Sequence, residues 1–183
     1  MSQISETLKQ QFSRSIGLPW QDMLPSSRLD ELLEEEGISY RNRVYTPIVT
    51  LWAMVYQVLS ADKSLRNTVK CITTWLTAAE LEPPSSDTGA YSKARGRLPE
   101  ELLQRLVPET AEALAQRVPE SQYWCGRPVK VFDGTTLLMS DSAANQAAYP
   151  QHGNQAEGCG FPLARVVVFF CLLTGAVVSA CIA

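Results

Sequence analysis

The last 18 residues, Val166–Ala183, contain no charged side chain, and this run restricts the possible folds more than any other feature. A run of this length is near the lower limit for a membrane-spanning helix. However, Val166–Leu173 is rich in β-branched and aromatic residues, and Thr174 and Gly175 are typical of a tight turn. Polar residues interrupt the run, and no basic cluster follows it. We therefore predict two buried strands joined as a hairpin, and no membrane segment.

The first part of the chain has the periodicity of helices. Ile4, Leu8, Phe12 and Ile16 recur every four residues, which predicts an amphipathic helix ending at Gly17. The stretch "PSSRLDELLEEEG" predicts a second helix, and the candidate caps and stop are Ser26 or Ser27 at its start and Gly37 at its end.

Two further helices are predicted between residues 46 and 80. The first has Thr46 as its cap and Pro47 in its first turn, and it should be buried because it is apolar nearly all round. The second has an inner stripe formed by Leu65, Val69, Ile72 and Leu76.

The pattern changes from helix to strand near residue 120. Before it, Asp87 or Thr88 should cap a short basic helix, Pro99 should open the next helix, and Pro108 should break or kink that helix. After it, Val129–Met139 is strand-like, and Asp141–Pro162 is polar and rich in glycine. We predict an α+β chain with a helical domain at 1–120 and a second domain at 121–183.

The overall charge does not indicate a nucleic-acid ligand, because the net charge is -3 and the pI is about 5.2. The charge is unevenly distributed along the chain. Residues 1–36 contain seven acids and three bases, whereas residues 37–79 contain five bases and one acid. Residues 88–98 hold three bases and no acid. The five cysteines lack a CxxC pair, which favours free thiols in a reducing, cytoplasmic compartment.

Asp133 lies near the middle of the stretch "VKVFDGTTLLMSD". An ionised acid inside a sheet is costly unless it is paired, hydrogen-bonded or bound to a cation. One interpretation is that Asp133 and Gly134 start a turn, which Thr135 and Thr136 steady. The other is a metal ligand on a central strand, since Mg²⁺ binds carboxylate and phosphate oxygens. Asp141 and Glu157 have no spacing that demands a shared site, and His152 with Cys159 is a weak candidate pair.

Several blocks in order resemble one family of proteins. The segments "VKVFDGTTLLMSD", "NQAAYPQ" and "GFPLARVVVFFCLLTGAVV" resemble the start of the catalytic domain in DDE transposases of bacterial insertion sequences, specifically the insertion sequence 4 family. Upstream, "YTPIVTLWAMVYQVLSADKSLRNTVKCITTWL" and "DTGAYSKARGRLPEELL" resemble the helical N-terminal part of that family.

The resemblance implies a ribonuclease H-like domain, of which this chain would hold the first three strands. It implies that Asp133 is the first catalytic Asp, at the end of the first strand, and a ligand of Mg²⁺. The second Asp and the Glu of the family lie further downstream than residue 183, so we expect a truncated transposase without activity of its own. The implied partners are the DNA of terminal inverted repeats and targets, and a second copy of the complete enzyme.

Lys93, Arg95 and Arg97 are the candidate DNA-binding residues. Two helices around a turn could form a helix-turn-helix-like unit there, and the alternative is an ordinary basic surface helix. Two other functions remain open: a DNA-binding fragment that represses transposition, and the product of a pseudogene, whose incomplete sheet would be prone to aggregation.

Overall fold

A computed structural model of the chain describes residues 3–16, 25–41, 43–151, 153–154, 156 and 160–183. The chain divides into two compact units, which we call the helical unit (Met1–Gln104) and the sheet unit (Arg105–Ala183). The predicted domain boundary near residue 120 stays a prediction. The helices are α1 (Gln3–Ile16), α2 (Ser26–Glu35), α3 (Pro47–Leu59), α4 (Leu65–Ala78), α5 (Gly89–Arg95), α6 (Glu100–Ala115) and α7 (Ala143–Ala148). The strands are β1 (Lys130–Leu138), β2 (Leu163–Cys171) and β3 (Val177–Ile182), and a short 3₁₀ turn covers Glu120–Gln122.

Side-chain caps fix the starts of α3 and α4. The Thr46 hydroxyl accepts a hydrogen bond from the backbone N–H of Val49 at 3.3 Å, and Pro47 occupies the first turn, as predicted. Ser64 caps α4 in the same way, accepting from the N–H of Asn67 at 3.1 Å.

The predicted cap of α2 is wrong, whereas its predicted end is confirmed. Pro25 is the N-cap residue, and Ser26 and Ser27 are already helical, because the Pro25 carbonyl accepts the first helical bond from Leu29. At the other end Gly37 has a φ of +62°, a conformation that glycine adopts at little cost. The Gly17 end predicted for α1 lies outside the described residues.

The core of the helical unit joins α1, α3 and α4. Leu8 and Phe12 are fully buried, and the Phe12 ring packs edge-on against Trp75 with centroids 5.1 Å apart. The predicted stripe on α4 is confirmed at Val69, Ile72 and Leu76, while Leu65 is half-buried.

Burial of α3 is limited to its first half, which corrects the prediction of burial throughout. Ile48 and Val49 are buried, but Val58 and Leu59 are 65% and 52% exposed. The last turn of α3 is exposed because no described element covers it.

Pro108 lies inside α6 and does not break it, so of the two predicted effects the break is wrong, and the kink stays a prediction. A proline removes one helical hydrogen bond and crowds the carbonyl four residues earlier, here that of Gln104. The division between the two units falls directly after Gln104. The helix is nevertheless continuous from Glu100 to Ala115, and Leu102 and Leu106, four residues apart, are both buried on one face of it.

The strands form an antiparallel sheet in the order β1-β2-β3. Gly175, with a φ of +67°, lies in the turn between β2 and β3, so the predicted hairpin is confirmed. Its connection covers residues 172–176, which is longer than the predicted link of Thr174 and Gly175. No described helix is both long and apolar enough to cross a bilayer. The prediction that these two strands are buried is wrong for most of their side chains: Phe169 of β2 is 41% and Ile182 of β3 is 57% exposed. On β1, Phe132 is 70% and Leu138 is 74% exposed. The described residues provide no layer that covers them.

Candidate functional site

Asp133 is the fourth residue of β1, and the strand continues to Leu138. Its Oδ1 accepts a hydrogen bond from the N–H of Gly134 at 2.9 Å. The interpretation of Asp133 and Gly134 as a turn is therefore wrong, because both residues pair with β2, opposite Val168 and Val167. Thr135 and Thr136 likewise belong to the strand and steady no turn.

Asp133 is exposed, and its strand is at one edge of the sheet. Since side chains alternate along a strand, Asp133 shares a face with Val131 and Thr135, opposite Val168 of β2. Within the described sheet β2 is the middle strand and β1 an edge strand, and the placement of Asp133 on a central strand stays a prediction. The family resemblance implied that Asp133 is at the end of the first strand. In the structure Asp133 lies in the middle of β1. An exposed carboxylate avoids the desolvation cost of burial and is open to a ligand.

The described residues do not by themselves form a Mg²⁺ site around Asp133. No group of three His, Cys, Asp or Glu side chains in the described ranges could hold a metal. Asp141 precedes α7 and accepts a hydrogen bond at 2.9 Å from Nε2 of Gln146, a residue of that helix. The other weak candidates, His152, Glu157 and Cys159, lie outside the described residues. One carboxylate alone is a poor match for an ion that prefers several oxygen ligands.

The predicted DNA-binding residues lie at and beyond the end of α5. Lys93 and Arg95 are in its last turn, Arg97 is two residues past its end, and all three are exposed. The Arg95 guanidinium lies 5.9 Å from the centre of the Tyr91 ring, within the range of a cation–π contact. The Asp87 carboxylate accepts from the N–H of Gly89 at 2.9 Å and so contributes to the start of α5, at which Thr88 makes no side-chain cap.

Arg97 lines a cleft of about 370 Å³ together with Arg41 and Arg43, two residues that sequence reasoning had not assigned to a site. We call this the arginine cleft. The sequence did contain a signal for them. Arg41 and Arg43 are separated by a single residue, and the stretch 37–61 around them contains no acid. What the sequence did not show was that Arg97, more than fifty positions later, lies beside them.

The chain is 24% identical, over 147 residues, to the transposase InsG of insertion sequence element IS4 from Escherichia coli (strain K12). It is similar to a transposase. The match covers 80% of this chain but only 32% of that relative, so the chain spans about a third of the transposase's length. No family model matches the chain, and no solved structure does.

This similarity supports the relationship that the sequence blocks predicted, at the level of a transposase of the insertion sequence 4 type. The described fold, helices followed by an antiparallel sheet, is compatible with the predicted α+β class. The candidate functional residues are therefore Asp133 in the first strand and the basic residues near α5.

Proposed function

We propose that the chain is the N-terminal part of a transposase that cleaves and joins DNA at the ends of a bacterial insertion sequence. The observation that supports this most strongly is the similarity to the InsG transposase over 80% of the chain. In this proposal Asp133 is the first of three catalytic carboxylates on a ribonuclease H-like sheet, and the second Asp and the Glu come from residues that this chain does not contain.

The exposure of Asp133 supports its proposed role. A catalytic carboxylate has to reach a phosphodiester and its metal ions, and the Asp133 side chain is held by a single backbone hydrogen bond. When bound, divalent ions would activate the attacking oxygen and stabilise the leaving one. Because the described residues lack the remaining ligands, we expect the 183-residue chain to show no strand transfer alone.

The exposed basic residues support a separate role for the helical unit. Contacts from Arg and Lys to phosphates supply most of the non-specific affinity of proteins for DNA. In the proposal, Lys93, Arg95 and Arg97 make such contacts at the terminal inverted repeats.

An excision assay tests the role of Asp133. The chain is expressed with the coding DNA that follows it, and excision of a marked element is counted. We expect Asp133→Asn to reduce excision by at least a factor of about 100, the lower end of the cost of losing one electrostatic stabiliser. Asp141→Asn is the matched control, because Asp141 bonds locally to Gln146, and it should leave excision within a few-fold of the parent. Equal excision by the parent and Asp133→Asn would refute the proposal.

A second candidate function is a DNA-binding repressor of transposition. It is favoured by one observation: the exposed basic residues near α5 belong to the unit with the larger core, whereas Asp133 has no described ligand partners. A gel-shift assay with element-end DNA distinguishes it from an inert remnant, since a repressor has to bind that DNA without cleaving it.

A further inference from the structure

The arginine cleft is formed by two parts of the helical unit that are distant in sequence. One wall is the connection from α2 to α3, which includes Tyr40, Arg41, Arg43 and Tyr45. The other comes from α5 and the residues after it, including Arg97. A volume of about 370 Å³ is within the usual range of small-ligand pockets, about 300–1,000 Å³.

The charge of the cleft is positive and lacks internal compensation. No acidic side chain is among the residues that line it. Within the described residues, no hydrogen bond or ion pair involves the guanidinium groups of Arg41, Arg43 or Arg97. Three neighbouring cations repel one another, so an anion that enters the cleft gains attraction and relieves that repulsion.

The acids of α2 lie near this site but do not neutralise it. Burial, followed by the charges of Asp30 and Glu34, raises the pKa of Tyr40 above its usual value. Neither acid lines the cleft. Their charges nevertheless reach Tyr40, which lines the cleft, so they oppose an anion on that side of it.

The cleft is held open by a connected set of side chains. Tyr91, fully buried on α5, donates a hydrogen bond to Gln57 Oε1 of α3 at 3.0 Å. Its ring also contacts that of Tyr45, with centroids 5.6 Å apart. Because Tyr91 connects α5 to both α3 and the α2–α3 connection, the two walls keep their spacing without a ligand. Such pre-organisation lowers the entropic cost of binding.

One residue that lines the cleft, Tyr45, has a polar atom without a described partner. It lines the cleft, and its hydroxyl is buried without a hydrogen-bond partner among the described residues. A buried polar atom without a partner costs about 1–3 kcal/mol, and most such atoms in proteins are satisfied.

We propose that the arginine cleft binds a backbone phosphate of DNA, with Arg41, Arg43 and Arg97 as the ligands of that phosphate. Planar guanidinium groups donate paired hydrogen bonds to phosphate oxygens, and lysine does not reproduce this geometry. The inference rests on the proposed function for its choice of DNA. It differs from the sequence prediction because it groups Arg97 with Arg41 and Arg43, and not with Lys93 and Arg95. Such a contact positions DNA and is independent of base sequence.

The test measures DNA affinity of the full chain as a function of salt. The probe is a fluorescein-labelled 30-base-pair duplex of mixed sequence, titrated between about 50 and 200 mM salt, where phosphate binding changes affinity steeply. Arg41→Ala combined with Arg43→Ala, and Arg97→Ala alone, should each weaken binding and flatten the plot of log K against log salt. The expected change in slope is about 0.9 for each phosphate that the variant no longer neutralises. Arg66→Ala, an exposed arginine on α4, is the charge-matched control and should leave the slope unchanged.

Two further variants test whether loss of charge alone explains the result. Lys93→Ala with Arg95→Ala removes as much charge as the double change in the cleft but leaves the cleft intact, so adding Arg97→Ala to it should flatten the slope further. Replacing all three cleft arginines by lysine keeps the charge and the fold, and should retain the slope while lowering the affinity. Circular dichroism and the melting temperature establish that each variant is folded.

The outcomes separate this inference from the proposed function. If the parent chain binds DNA and the cleft variants bind it with the same slope, the cleft inference fails together with the proposed phosphate contact of Arg97. The proposed transposase role, which the excision assay tests through Asp133, then stands. If the parent binds inorganic phosphate in the cleft but no DNA, both fail, because the ligand is then a small phosphate. A flatter slope in the cleft variants alone supports the inference.

Discussion

Two tyrosines, Tyr45 and Tyr91, contact each other between the walls of the arginine cleft. Both are tyrosines shielded from water, and burial raises the pKa of each to about 12. They differ in one respect: the Tyr91 hydroxyl donates to Gln57, whereas that of Tyr45 has no described partner. The pair therefore separates the effect of a hydrogen bond from the effect of burial.

We expect Tyr91→Phe to lower the free energy of unfolding at pH 7 by about 1 kcal/mol, the typical net value of one hydrogen bond. Tyr45→Phe should leave it unchanged or raise it, because the change removes a polar atom without a partner. Urea denaturation of the two variants and the parent measures the difference. A decrease in stability in Tyr45→Phe equal to that in Tyr91→Phe would show that Tyr45 has a bonding partner after all.

The same two variants give a pH dependence with a definite sign. A tyrosine with a pKa near 10 when unfolded and about 12 when folded holds its proton more tightly in the folded state. Its contribution to stability is complete below pH 10 and is lost as the pH rises from 10 to 12. The parent should therefore lose stability over this range, and each Phe variant should lose less.

At the scale of elements, the start of α3 and the end of α2 followed from local sequence, and the environment of each element did not. Thr46, Pro47 and Gly37 stop or start helices through bonds within a few residues, so the sequence contains the whole cause. The exposure of Val58 on α3 depends on which elements are neighbours, which local pattern does not encode. The same holds for the candidate site. The sequence predicted the strand that contains Asp133, whereas only the tertiary fold places Arg41 and Arg97 in one cleft.

The sheet is the element whose surroundings differ most from the prediction. Phe132 of β1 and Phe169 of β2 are directly opposite each other, with ring centroids 5.8 Å apart, yet both are exposed. The ring contact is worth about 0.5–1.5 kcal/mol, far less than the burial of a core phenylalanine. An exposed apolar face of this kind is a site of association or aggregation.

We expect Phe132→Ala to lower the free energy of unfolding of the sheet by about 0.5–1.5 kcal/mol and to reduce binding of a hydrophobic dye. Phe12→Ala is the contrasting change, since Phe12 is fully buried in the helical unit and its removal should cost about 3–5 kcal/mol. Urea denaturation and dye fluorescence provide the two measurements. A cost for Phe132→Ala as large as that for Phe12→Ala would mean that the sheet face is packed in solution.

Across the whole molecule, the two units differ in how much core they contain. The twelve largest fully buried side chains of the described residues all belong to the helical unit: Tyr91, Phe12, Leu8, Leu29, Leu32, Ile48, Ile72, Leu76, Leu102, Val49, Val69 and Thr50. The sheet unit buries few side chains, such as Ala164 and Val166 on its central strand. Because apolar burial is the main source of folding free energy, the two units should differ in stability.

Hydrogen exchange measures this difference segment by segment. We expect the amides of β1 and β3 to exchange at least about 100-fold faster than those of α3 and α4, a gap of about 2.7 kcal/mol in opening free energy. Amides of β2 should be intermediate, because β2 is paired on both sides. Exchange as slow in β1 as in α4 would contradict the assignment of a weakly packed sheet. If β1 does exchange fast, Asp133 lies on a strand that the isolated chain holds loosely, and a metal site built around it would need further packing before it could act.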